Sequence, residues 1–277
     1  MTFKLLTFNS QWMTTLHTDF VQRAFTAGIL ISIAAGIVGY FVITRKSTFA
    51  AHALAHIGLP GATGAALLGI PVLWGMGLFS VIGALIIGAL GKKASEREVA
   101  TGTVLAFSTG LGLYFANMSA GASKQMQSIL FGSVLTITSD QLVIFTTVDI
   151  VLCVVLLAIF RPLLFSSLDE EVARAKGLPV TALGVVFMVM MASVITVAVP
   201  TVGTLLIFAL VITPADTAAM VTRSPLRAIV MTMIICLVSI WGGLIISTMF
   251  PMPPSFVIVT ISTVIWLIAK SIKALKK

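Results

Sequence analysis

Two histidines four residues apart, in the stretch HALAH at 52–56, and two aspartates, Asp149 and Asp216, stand inside long apolar runs of this sequence. A charged side chain near the centre of a bilayer costs at least about 2.5–3.5 kcal/mol, so it is kept where it is paired, wet or functional. At i and i+4 the two imidazoles share one face of a helix, and imidazole suits a borderline-soft divalent cation. The plainer alternative is a pair of satisfied polar groups at a helix interface. A metalloprotease is excluded: H-E-x-x-H needs a glutamate after the first histidine as general base, and Ala53 occupies that place. Asp216 follows Pro214 in LVITPADTAAM. It either neutralises a passing cation or a histidine, or caps a helix restarting after the proline. Asp149, in TTVDIVL, has no visible partner. Met188, Met190 and Met191 are soft donors, but apolar packing is the favoured reading.

The elements that hold these residues follow from composition. Of 277 residues 58% are hydrophobic and 9% charged, against roughly 25% charged in an ordinary soluble domain. A transmembrane helix takes about 20 apolar residues, which predicts an all-α polytopic transmembrane helix bundle of about eight or nine spans. Apolar runs place these at 21–43, 52–70, 72–91, 98–118, 140–161, 180–199, 201–221, 226–249 and 255–271. No room remains for a soluble catalytic domain, so the chain itself is not expected to be an enzyme. Gly58, Pro60, Gly61 and Gly64 make the second span one that packs closely and can break; Pro200 and Pro214 flank a second candidate break. Residues 1–19, with Phe3, Leu6, Phe8, Trp12, Met13 and Leu16 at helical spacing, read as an interfacial segment on membrane lipid rather than a signal peptide. Residues 20–277 form the membrane domain. The net charge of +8 is scattered through short loops, which excludes a nucleic-acid groove. Cys153 and Cys236 lie in apolar segments and read as packing residues.

Orientation follows from Lys and Arg in short loops. Alternating the spans puts 14 of the 17 basic residues on one side, leaving Lys4, Arg23 and Lys124 on the other. The amino terminus is therefore expected outside and the carboxyl terminus inside. The segment 117–139 spans, re-enters or docks a partner on the outer face. On the cytoplasmic side, 167–177 is built as a short helix. Ser166 or Ser167 can cap its start, Asp169, Glu170 and Glu171 fill the first turn, Arg174 and Lys176 the last, and Gly177 the position after it. A rigid helix offered to the cytosol is what an external motor needs to push on.

Four stretches carry a family resemblance: VITRKSTFAAHALAHIGLPGATGAALLGI, QSILFGSVLTITSDQL, SLDEEVARAKGLPV and VPTVGTLLIFALVITPADTAAMV. In order and spacing they resemble the permease subunit of the bacterial zinc, manganese and iron ATP-binding-cassette metal importers. That resemblance implies a multi-pass protein of the bacterial plasma (inner) membrane. Its implied partners are a permease homodimer mate or related permease, a cytoplasmic ABC ATPase that binds the ATP, and an extracytoplasmic solute-binding protein that delivers metal. No cofactor is implied in this chain. SLDEEVARAKG resembles the coupling helix, with Asp169, Glu170, Ala173, Arg174 and Gly177 as the ATPase-coupling positions. HALAH resembles the family's D-x-L-A-H, so His56 falls on the family histidine and His52 where the family has aspartate. Imidazole for carboxylate shifts preference from manganese toward zinc, so zinc is the expected cargo, then manganese or iron; a chelate stays open. His52, His56 and Asp216 are expected to line the path, with coordination completed by Asp216 or the dimer mate. The alternative is a secondary cation transporter without an ATPase, using Asp149 and Asp216 as relays; it gives the capped helix no purpose.

Overall fold

The computed structural model describes residues 12–90, 94–132 and 137–275. Phe3, Lys4, Leu6 and Phe8, the loop lysines Lys92 and Lys93, the side chains of Glu96 and Arg97, residues 133–136, and Lys276 and Lys277 lie outside the described residues. The described chain is helical throughout. In order it forms α1 (Trp12–Leu16), α2 (Asp19–Thr44), α3 (Thr48–Ile57), α4 (Leu59–Leu68), α5 (Val72–Leu90), α6 (Ala94–Met118) and α7 (Ala120–Phe131). These are followed by α8 (Ser139–Leu168), α9 (Glu170–Ala175), α10 (Val180–Val202), α11 (Thr204–Val221), α12 (Pro225–Met249) and α13 (Pro254–Leu275).

Among the described residues seven helices, α2, α5, α6, α8, α10, α12 and α13, are long and apolar enough to cross a membrane. The two remaining predicted spans take other forms. The segment 52–70 is divided at Gly58 into α3 and α4, with Pro60 in the first turn of α4, where a missing N–H costs nothing. The segment 201–221 becomes the shorter α11. It runs unbroken through Pro214, so no helix restarts there; the discontinuity lies at Gly203, just beyond Pro200. The segment 117–139 contains α7, a helix of 12 residues capped by the Ser119 hydroxyl on the Ala122 N–H.

Contacts divide the chain into two units. The first comprises the described residues of Met1–Tyr40, Ser133–Thr147 and Phe208–Lys277, the second Phe41–Gly132 and Val148–Ile207. In the first unit α2 packs on α12 through Gly28 against Ile240 and Gly36 against Met233. Phe25 and Trp241 meet edge to face with ring centroids 5.5 Å apart. Buried hydroxyls in both helices turn back on their own carbonyls, Ser32 to Gly28 at 2.6 Å and Ser239 to Ile235 at 2.8 Å. Backbone and hydroxyl alike are thus satisfied without water, as hydrocarbon requires.

In the second unit the broken pair α3–α4 is held against α5 and α6. Gly61 of α4 meets Gly75 of α5 backbone to backbone: a Cβ on either would collide with the other's carbonyl. Gly83 of α5 takes the Ile57 side chain, and Gly112 of α6 takes Leu59 and Pro60. Such contacts replace the hydrophobic drive that lipid does not supply, because they let van der Waals packing act at short range. We therefore expect Gly61→Val to be destabilising by about 1–3 kcal/mol or more, read as a lower melting temperature or loss of monodisperse protein in detergent. Gly110, with nothing within 4 Å of a built Cβ, is the control: Gly110→Ala should be neutral or gain up to about 0.5–1 kcal/mol.

Candidate functional site

Among the described residues no three His, Cys, Asp or Glu side chains cluster as a metal set. The histidine pair is thus the centre of the candidate site. α3 begins after Ser47 and carries His52 and His56 on one face, both half-buried, between the small buried residues Ala51, Ala53 and Ala55. The ring centroids lie 5.0 Å apart at an interplanar angle of 68°. Two such rings offer two nitrogen donors from one rigid stretch of helix and leave the remaining coordination positions of a cation open. A two-donor set of this kind holds a metal weakly, which suits passage more than storage.

Asp216 belongs to the other unit, on α11, where it is half-buried. Its Oδ2 accepts a hydrogen bond from Trp266 Nε1 of α13 at 2.7 Å. It is not a helix cap, because α11 does not restart after Pro214. Lys270 Nζ lies 4.4 Å from the Trp266 ring centroid, so carboxylate, indole and ammonium form a short polar series. Trp266 was not singled out from the sequence. Its spacing of four from Lys270 was the available signal. Asp149 lies in the same unit as the histidines, on the inward stripe of α8 with Phe145, Leu152 and Leu156. It is 8% exposed, and its Oδ2 has no hydrogen-bond partner among the described residues. Met188, Met190 and Met191 are buried in α10, as packing residues are.

The predicted short helix is present and shorter than expected. α8 runs on to Leu168, so Ser166 and Ser167 belong to its last turn, and the cap of α9 is Asp169. The Asp169 carboxylate accepts from the Val172 N–H at 3.0 Å, a capping bond of typically about 1 kcal/mol. The other end closes with Gly177 N–H on the Arg174 carbonyl at 2.9 Å and Leu178 N–H on the Ala173 carbonyl at 3.1 Å. That paired closure is the Schellman arrangement, which needs a left-handed residue after the last turn; Gly177 supplies it at φ 79°. Glu170 and Arg174 form an exposed ion pair at 2.8 Å, a contact of little worth in water. Ala173 faces inward, fully buried. The five predicted coupling positions are thus gathered in one small element capped at both ends, with Glu171, Val172 and Arg174 outward.

Comparison with known proteins agrees with this architecture. The chain is 30% identical over 255 residues to the manganese transport system membrane protein MntC of Listeria monocytogenes, covering 92% of this chain and 91% of that one. It is 32% identical over 206 residues to the manganese import system permease protein ScaB of Streptococcus gordonii, covering 74% of each. Among solved structures, PsaBC from Streptococcus pneumoniae in complex with Fab superposes with a TM-score of 0.82 at 29% identity, over 94% of both chains. An inward-facing ABC transporter of metal-chelate type, 16% identical with a TM-score of 0.69 over 91% of this chain and 85% of that one, shares the fold. Apolar spans and membrane relatives together make this a multi-pass protein of the bacterial plasma membrane. The family model of the ABC 3 transport family matches residues 17–273, and the chain belongs to that family.

Proposed function

We propose that this chain is the permease subunit of an ATP-driven importer of a divalent transition metal, working by alternating access as one half of a permease dimer. The observation that carries the reading is the imidazole pair on α3 within a chain that the family model matches almost end to end. In this reading His52 and His56 face the translocation path. The dimer mate completes the coordination. The cation meets an incomplete set in each subunit, so binding stays weak enough for release. The amino terminus lies outside and the carboxyl terminus inside, and an extracytoplasmic solute-binding protein delivers the ion.

The motor is a separate cytoplasmic ABC ATPase, and α9 is the coupling helix it grips. A helix with both ends hydrogen-bonded moves as a rigid piece, which is what a lever requires. Manganese is the ion in the relatives' names. Zinc is the ion favoured by the second imidazole at position 52, where the resemblance puts aspartate, because nitrogen donors favour zinc over manganese.

Three outcomes test this. His56→Ala should abolish metal uptake in proteoliposomes while the complex still assembles and hydrolyses ATP. Losing a ligand should cost at least as much as losing an outer-shell partner, about 10–100-fold; uptake at the parental rate removes the histidine from the path. His52→Asp should move the ratio of zinc to manganese uptake toward manganese, and an unchanged ratio removes position 52 from selectivity. Asp169→Lys combined with Gly177→Trp should release the ATPase during co-purification. If the ATPase stays bound to that variant, α9 is not its docking element.

A further inference from the structure

The sequence offers Arg45 as one more positive charge in a short loop. The structure makes it the residue at which three helices of the second unit are tied. It follows the last residue of α2, Thr44, and precedes the first residue of α3, Thr48. The connection between those helices is tight, with Lys46 left-handed at φ 52° and the Ser47 N–H bonded to the Val42 carbonyl at 2.9 Å. Any displacement of Arg45 is therefore carried into α3, whose histidines begin seven residues on.

The guanidinium reaches away from this turn. Its Nη1 donates to Ser166 Oγ at 3.1 Å and Ser167 Oγ at 3.2 Å, in the last turn of α8. Both hydroxyls are pre-oriented, since each donates to the Leu163 carbonyl, at 3.0 and 2.6 Å, and so presents its lone pairs to the arginine. The guanidinium carbon lies 5.7 Å from the centroid of Phe187 in α10. Those contacts bracket α9. Ser166 and Ser167 stand just before its Asp169 cap, and Phe187 lies on the helix that begins just after its Gly177 closure. A guanidinium can bond two hydroxyls through one nitrogen while its flat face lies towards a ring, an arrangement that a tetrahedral ammonium on a lysine stem matches only in part. A cavity of about 360 Å³, lined by Thr44, Ser47, Glu98, Thr101, Ser166 and Ser167 among others, opens beside the group. The joint therefore has room to move.

We propose that Arg45 is a positioning residue that transmits displacement of α9 to α3, so that events at the coupling helix reorient the histidine face. The proposal rests on the importer reading above. It names the side chain through which the two ends of that mechanism communicate: push α9, and the ends of α8 and α10 move; Arg45 is bonded to the one and lies on the other, and α3 follows.

The test uses the whole complex with its ATPase in proteoliposomes and a readout that does not depend on cargo. Phe49, on α3 and 42% exposed, is changed to cysteine in a Cys153→Ala, Cys236→Ala background, and its thiol-labelling rate is compared without nucleotide and with ATP plus vanadate. With Arg45 present the two rates should differ by about fivefold or more, the lower end of ordinary coupling between sites. In Arg45→Gln the difference should disappear although the ATPase remains bound and active, and Arg45→Lys should restore it only in part. The double variant Ser166→Ala, Ser167→Ala, which leaves the arginine in place, should reproduce the loss and decides the matter if Arg45→Gln fails to assemble. A labelling difference that survives undiminished in an assembled Arg45→Gln complex or in the serine double variant, or that is absent from the parent, overturns the proposal. Uptake of manganese ion and of zinc ion by the parent is measured in parallel. If neither moves while the labelling difference behaves as stated, the import reading fails and the joint stands.

Discussion

Hydrocarbon solvates an apolar side chain about as well as a neighbouring helix does, so nothing in lipid pushes helices together as water pushes a soluble core. The contact that answers this constraint for the candidate site is Gly61 against Gly75, where two backbones touch with no side chain between them. That contact brings α4 onto α5, and the neighbouring seats at Gly83 and Gly112 receive Ile57, Leu59 and Pro60 around the break at Gly58. The histidine helix is thereby held by its own continuation. Its fixed end is the glycine-rich α4, and its other end is the turn at Lys46.

This arrangement explains why the alanine-rich helix that bears the ionisable pair runs on into a segment with two glycines and a proline. Glycine in a soluble helix costs about 1 kcal/mol relative to alanine. In a membrane the same residue lets another backbone approach, and the hydrogen bonds that would otherwise fray cannot exchange with water. The imidazoles sit on α3 among the buried Ala51, Ala53 and Ala55, with Leu54 and Ile57 buried alongside them.

Much of this was legible in the residues. Apolar runs give seven of the nine predicted spans as long helices, and the glycines and Pro60 announced the break in the second span. HALAH placed two rings on one face, as they are. The acidic start, basic end and Gly177 of the α9 segment were equally plain, because capping is local chemistry. The less legible features depend on contacts far apart in sequence. Asp216 could not be assigned its Trp266 partner across 50 residues, nor could Arg45 be distinguished from any other loop cation before Ser166 and Ser167 came beside it, more than 120 positions later. The serines illustrate the limit well: locally they are good caps, and α8 overrode that preference by continuing to Leu168.

The closed hydrogen-bonding of α9 has an evolutionary corollary. Asp169 and Gly177 secure its two ends and Ala173 secures its inner face, so its outward positions, Glu171 and Val172 among them, carry no duty toward the fold. They are free to drift in step with whatever protein they meet. In the proposed importer the choice of engine can then change by substitution at a few exposed sites, while the choice of ion, proposed for a different helix, is inherited intact.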